Sequence, residues 1–402
     1  MTDPLCFCKS EDFMRSMLLD LWARADYEWR YSTSSAISSL HMLVDETART
    51  AGRAVLISTP SADLRVAVTG LSSGIRAMTP FLKQQLSAEG SAAVVTELPL
   101  SGRAAFAGDL DEADITVLCD TGRRISRRPQ GGGLVLPGWV HQVVPTQGNQ
   151  RLHKSDRQRF AKQRRENGWT WEVAQREEDF EFFFTRMHSP MVANRFGDHA
   201  ISEDRRAARV ALFRRGILFF LLEHGERVGG ALCRVDARSK VLYYRLNGLL
   251  DGDHRLRKSG ALVAISYFLV EWGTENRLHG VDLSGSIPFF SRGVYQAKRR
   301  LHPDVVLADV PMRHLRYRLA VKRDTSAVRD FLVANPLLRL DGSTAGAMEG
   351  VYFTDSRRPL RADLRSGVEQ DRIVDLDETP PQLLGTIGAS KPCQTTAKVG
   401  PK

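Results

Sequence analysis

Asp282 sits in an otherwise apolar run, His279-Gly-Val-Asp-Leu283, where a carboxylate needs a reason to exist. It can take a proton or bind a cationic group, the chemistry of a general base or a binding site. It can equally cap the next turn through the N–H groups of Ser284 and Gly285. A second constellation is cationic. Arg255, Arg257 and Lys258 lead into Ser259 and Gly260, and a strongly apolar run starts at Ala261. With Ser259 as N-cap, a helix beginning there offers free N–H groups and the positive end of its dipole, and the three cations add to an anion site. The stretch Pro190 to His199 mixes Arg195, Asp198 and His199. Arg195 and Asp198 read either as ligand-binding residues or as an ion pair within a loop.

These residues need elements to hold them. Ile217 to Leu222, Val228 to Val235 and Val241 to Asn247 are apolar runs split by His224-Gly-Glu226 and by Asp236-Ala-Arg-Ser-Lys240, so they read as an antiparallel meander. Leu250 to Lys258 reads as a polar loop. Gly260 to Trp272 is apolar nearly all round and is followed by Gly273 at the expected C-terminus, the pattern of a helix buried against a sheet. A strand, His279 to Leu283, follows, and then a loop of small residues leading to Val294-Tyr-Gln-Ala-Lys298.

The chain of 402 residues carries a net charge of +10, with an isoelectric point near 9.5. That length predicts more than one domain, and the charge suits a polyanionic partner such as tRNA, a nucleotide carrier or a phosphorylated lipid headgroup. Neither a secretory signal nor an apolar span of about 20 residues is visible. The five cysteines, Cys6, Cys8, Cys119, Cys233 and Cys393, are odd in number and scattered. They lack metal-ligand spacing, so reduced thiols in a cytoplasm and no metal site are expected.

Upstream, two helical patterns (Glu11 to Ala25, Ser34 to Thr50) precede strands at Ala54 to Ser58, Arg65 to Thr69, Ala93 to Glu97 and Asp114 to Cys119, with a helix from Leu71 to Glu89. This alternation predicts an α/β domain over residues 1–150. Thr69-Gly-Leu-Ser-Ser-Gly-Ile75 lacks the lysine of a phosphate loop, and its glycines suit a strand-to-helix turn. Arg123 to Gly133 reads as a basic glycine-rich loop, either solvated or touching phosphate. From Arg151 to Gly168 the chain is strongly basic, and Ser155-Asp-Arg-Gln158 fits the start of a helix. Its guanidinium groups can meet anionic oxygens or simply face water. Val305 to Val310 is expected to close the sheet and Thr325 to Ala334 to form a helix. Residues 341–402 are expected to be an extension whose pattern decays from Leu360 into a disordered tail.

The order from Trp169 onward, namely strand, two helices, meander, buried helix, strand and terminal loop, resembles the GNAT acyltransferase fold. Ser155 to Gly168, Val281-Asp-Leu-Ser-Gly-Ser-Ile-Pro288 and Gly293-Val-Tyr-Gln-Ala-Lys298 are similar to segments of the Fem-type aminoacyltransferase branch. The resemblance covers residues 150–310. It implies an α/β (α+β) fold: a mixed, mostly antiparallel GNAT-like sheet flanked by helices over residues 151–340. The preceding α/β domain is then open to being a degenerate copy of that fold.

The resemblance further implies acyl transfer from acyl-coenzyme A or aminoacyl-tRNA to an amine on a small molecule, a peptide or a cell-wall precursor, with no tightly bound cofactor. The strands on either side of the buried helix should part, and the carrier should lie between them against Asn247, Arg255, Arg257, Lys258, Ser259 and Gly260. Lys298 falls where Fem-type enzymes carry a lysine near the donor's acyl end, and a cation there offsets the developing oxyanion. An ordinary surface lysine is the alternative, since Arg299 and Arg300 follow it. Tyr295 joins Arg195 and Asp198 as a candidate substrate contact. Leu262 stands where the coenzyme A signature has a small residue, which favours a tRNA-borne donor. A rival reading is a non-catalytic RNA- or partner-binding protein on the same scaffold.

Overall fold

The computed structural model describes residues 4–47, 53–88, 90–99, 110–127, 132–147, 154–196, 203–308, 311–340 and 346–386. By internal packing the chain forms two compact units that do not follow chain order. One holds Met1–Met42, Val140–Ser286 and Ala297–Arg313, and the other Leu43–Trp139, Ile287–Gln296 and His314–Lys402.

The first unit is built on a seven-stranded sheet. Its order is Asp304–Leu307, Val140–Pro145, Gly280–Ser286, Val241–Leu249, Glu226–Asp236, Ile217–Glu223 and Trp169–Ala174. The meander is antiparallel throughout, and Trp169–Ala174 extends it antiparallel to Ile217–Glu223. Val241–Leu249 and Gly280–Ser286 run parallel, because the buried helix Ala261–Glu275 crosses between them. That helix presents Ala264, Ile265, Phe268 and Leu269 to a core that includes Leu242, Tyr244, Val281 and Leu283. Each large side chain so buried is worth about 1.5–3 kcal/mol of transfer free energy. The opposite face of the sheet packs Phe183, Leu212, Leu218, Phe220 and Leu232 together with Tyr27 of the helix Pro4–Tyr31.

Several sequence expectations are corrected. Val140–Pro145, placed with the first 150 residues, pairs with Gly280–Ser286 in this sheet; its local pattern announces a strand but not its partner. Gly273 lies inside the buried helix, not at its end. A Cβ there would meet Thr146 Cγ2 and Val281 Cγ2 at 3.1 Å, so the glycine allows close packing. Leu250 to Lys258 is a short turn plus the helix His254–Ser259, whose N-cap Asp253 accepts from the Arg255 N–H at 2.6 Å. Pro190 to Phe196 belongs to a helix, Ser189–Phe196. The basic segment is the helix expected there, Lys154–Glu166, and its one buried residue, Phe160, stacks on Tyr267 at 4.2 Å between ring centroids.

The second unit holds a six-stranded mixed sheet ordered Val94–Pro99, Arg53–Ser58, Arg65–Gly70, Ile115–Thr121, Leu315–Val321, Leu134–Pro137. It also holds a three-stranded sheet of Leu337–Leu340, Met348–Thr354 and Gln370–Asp375. This last strand falls beyond Leu360, where the sequence pattern predicts decay and the structure has a strand instead. Gly122–Arg127 is a short helix, not part of a loop. Gly70 has φ +102°, and a Cβ on it would run into the Cys119 carbonyl, so the glycine of that strand-to-helix turn serves geometry. Cys393 and the tail beyond Thr386 lie outside the described residues. Among the described residues no helix is long and apolar enough to cross a membrane, and no cluster of His, Cys, Asp and Glu could hold a metal ion.

Candidate active site at the fork of the sheet

The parallel pair is hydrogen-bonded over three registers only, Val241↔Gly280, Leu242↔Val281 and Tyr243↔Asp282. Beyond them Tyr244–Leu249 stays with the meander, while Gly285 and Ser286 stay with His141 and Val140. Irregularities in both strands accompany the parting. The meander register shifts between Tyr244 and Leu246, and the Gly280–Ser286 register shifts between Asp282 and Gly285. Such bulges bend a strand and increase its twist, which is what separates the two backbones. Ser284 has φ +71°, a conformation a serine adopts only when its surroundings impose it.

Asp282 sits at the crotch, 2% exposed. One carboxylate oxygen accepts from the Ser284 N–H at 2.7 Å. The other lies 2.5 Å from His141 Nδ1. Burial by itself would raise the Asp282 carboxyl, but His141, Arg245 and Lys298 outweigh it and hold the group below the ordinary carboxylate range. Asp282 is therefore an anion near neutral pH. It turns His141 so that Nδ1–H donates to it and leaves Nε2 as the basic nitrogen. Of the two sequence readings of Asp282 its geometry shows the cap on the Ser284 N–H, and it adds a buried imidazole partner that the sequence does not announce.

Lys298, on the helix Gly293–Arg299, donates from Nζ to the Ser284 carbonyl at 2.6 Å and to the Gly285 carbonyl at 3.2 Å. Its ammonium clasps the bulge that follows Asp282. The chain thus brings Asp282, His141 and Lys298 together at the fork. Asn247 lies on the diverging half of its strand, with its carbonyl accepting from His188 Nδ1 at 2.7 Å.

The cationic group is arranged differently from the expectation. Arg255, Arg257 and Lys258 are exposed on the short helix, and Ser259 does not cap the buried helix, because its hydroxyl donates back to the Leu256 carbonyl at 2.9 Å. Gly260 takes the N-cap position with φ +95° and no side-chain cap bond. A left-handed joint between two helices is a glycine's place. Because the crossover runs back along the sheet, the N-terminus of Ala261–Glu275 lies at the end of Val241–Leu249 where the strands have parted.

Tyr295 is fully buried in the second unit, its hydroxyl donating to the Ser366 carbonyl. That is the geometry of a packing residue. Arg195 falls on the helix Ser189–Phe196, and Asp198 lies outside the described residues. His141 escaped the sequence reading. Its only local signal is a histidine in an apolar strand, and its partner is 141 positions away.

A meander, a buried crossover helix and a parallel strand parting after three pairs make this a GNAT-like fold. No protein-family model matches the chain, and no curated protein matches it in sequence. Solved structures similar to it include L-PGS from Bacillus licheniformis, at 12% identity and a TM-score of 0.33, covering 69% of this chain and 87% of that one. FemX is similar at 10% identity and a TM-score of 0.35, covering 65% and 82%. A GCN5-related N-acetyltransferase from Sphaerobacter thermophilus is similar at 14% identity and a TM-score of 0.31, covering 67% and 79%. A likeness this distant carries no functional argument.

Proposed function

We propose that this protein is an N-acyltransferase that moves an acyl or aminoacyl group from an activated carrier to an amine by direct attack. The observation that carries this reading is the fork itself, with an ionised Asp282, His141 and Lys298 at its base. The acyl arm of the donor enters between Tyr244–Leu249 and Leu283–Ser286, and the helix N-terminus beside Gly260 takes anionic oxygens of the carrier.

The amine nitrogen attacks the carbonyl carbon and forms the C–N bond. His141 takes the N–H proton, with Asp282 as the positioning partner that stabilises the imidazolium. The C–O or C–S bond to the carrier then breaks, and the leaving oxygen or sulfur recovers the proton. Lys298 keeps the bulge in shape and supplies positive potential near the developing oxyanion. Leu262 packs against the core at the start of the buried helix, which supports an aminoacyl-tRNA over acyl-coenzyme A as donor. The exposed side chains of Arg157 and Arg165 on the basic helix suit the same carrier.

The test is to offer the full chain labelled acetyl-coenzyme A and, separately, a labelled aminoacyl-tRNA pool, each with a mixture of amines. The expected result is transfer of label into an amide from one of the two. If neither donor is consumed but tRNA is bound, the protein is a binder on this scaffold and the enzymatic reading fails.

A further inference from the structure

Val241–Leu249 gives Leu242 and Tyr244 to the core under the buried helix and turns Tyr243 and Arg245 to the other face of the sheet. There a cleft of about 550 Å³ is lined by Tyr27, Tyr31, Arg215, Arg234, Tyr243 and Arg245. Its volume is that of a small-molecule site. Tyr243 is the register partner of Asp282, and burial together with the Asp282 carboxylate pushes its phenol up to about 12. The cleft is thus a neighbour of the fork on that face.

Its charges are unevenly matched. Arg234 donates to Glu28 Oε1 at 2.7 Å, and Arg215 lies 3.7 Å from the same oxygen. Asp236 accepts from Thr33 Oγ1 at 2.6 Å and from the N–H groups of Arg238 and Ser239. Arg245 differs. Among the described residues no carboxylate lies at ion-pair distance from it. Its guanidinium carbon rests 4.7 Å from the centroid of the Tyr243 ring and 5.2 Å from that of Tyr31, and its Nε is buried with no hydrogen-bond partner.

Tyr27 is 1% exposed, and its hydroxyl is also buried without a partner. Burial pushes the Tyr27 phenol up, while Arg245 and Arg234 pull it the other way, so these groups lie within each other's electrostatic reach. Cation–π contact does not satisfy an N–H, and buried donors without acceptors are rare and costly. Both residues line the cleft, and an acceptor is what their two donors lack.

We propose that this cleft binds a small molecule through a compact oxyanion, a carboxylate or a phosphate, which accepts from Arg245 Nε–H and Tyr27 O–H. Tyr31 and Tyr243 flank the anion, and the remaining volume takes the rest of the ligand. The assignment stands on the unmatched donors and not on acyl transfer. Where transfer also holds, the cleft anchors the anionic end of the amine acceptor beside Asp282.

Isothermal titration of the full chain at constant ionic strength tests this, with inorganic phosphate in one arm and acetate in the other, each against chloride. Saturable binding in at least one arm is expected, and the arm that binds names the anion. Arg245→Gln should weaken it at least about tenfold, and Tyr27→Phe, which keeps the ring and its packing, should weaken it several-fold. Arg361→Gln, at an exposed arginine of the second unit paired with Asp363, should leave it unchanged. No saturable binding in either arm, or binding that Tyr27→Phe and a folded Arg245→Gln both leave intact, overturns the proposal.

Discussion

His141 Nδ1 and Asp282 Oδ2 lie 2.5 Å apart, their side chains 4% and 3% exposed, at the point where two parallel strands diverge. Tyr243↔Asp282 is the last pair of that ladder. A buried imidazole and carboxylate thus meet where the parallel ladder ends, and in the proposed reaction they are the pair that moves the proton.

Asp282→Asn is expected to cost about 1–3 kcal/mol, since it replaces a charge-assisted bond to a buried histidine with a neutral one. The pH dependence has a definite sign. The folded-state pKa of Asp282 lies below its unfolded value near 4, so its stabilisation is fully present above that value and is lost as pH falls through the lower, folded one. Urea midpoints measured between pH 6 and pH 2 should fall less steeply for the variant than for the native chain.

His141→Gln should lower kcat by about 10²- to 10⁴-fold with little change in KM, the signature of a missing proton acceptor. A purely structural role predicts a loss of stability with residual activity scaling with the folded fraction. Steady-state kinetics alongside near-UV circular dichroism separate the two.

Lys298→Met removes the ammonium that holds the Ser284 and Gly285 carbonyls and one of the cations that depress Asp282. The acid limb of the turnover profile should therefore move to higher pH and the maximum rate should fall. Lys298→Arg should restore part of the rate by keeping the charge. A pH–rate profile that stays in place shows that Lys298 does not act through Asp282.

On the basic helix the arginines divide. Arg164 pairs with Glu271 at 3.2 Å and lies over the Phe268 ring at 4.7 Å, so it belongs to the helix packing. Arg157 and Arg165 are exposed. Reversing these two to Glu should weaken tRNA binding and reduce the salt slope by about 1 for each phosphate that is no longer neutralised. Filter binding at several salt concentrations reads this directly, and an unchanged slope removes the helix from the carrier site.

What the sequence made legible follows from locality. The meander and the buried helix announce themselves through runs of apolar residues and turn-forming gaps, and the structure holds all of them within a few residues of the expected bounds. Asp282 was conspicuous because a charge in an apolar strand is conspicuous. His141 was not, since only the sheet brings Val140–Pro145 against Gly280–Ser286. Ser259 has the composition of a cap but the backbone of a helix end, and Gly260 takes the cap because only the left-handed joint fits there. The Arg245 cleft was equally hidden. It joins a strand of the meander to Tyr27 and Tyr31 on a helix nearly the whole unit away in sequence.

Hydrogen–deuterium exchange of the full chain, with and without the donor that it consumes, is the most direct measurement. Peptides spanning Tyr244–Leu249 and Leu283–Ser286 should gain protection when the donor binds, while those covering Val241–Tyr243 and Gly280–Asp282, already paired with each other, should change little. Donor consumption with no protection at either diverging segment would contradict a catalytic fork.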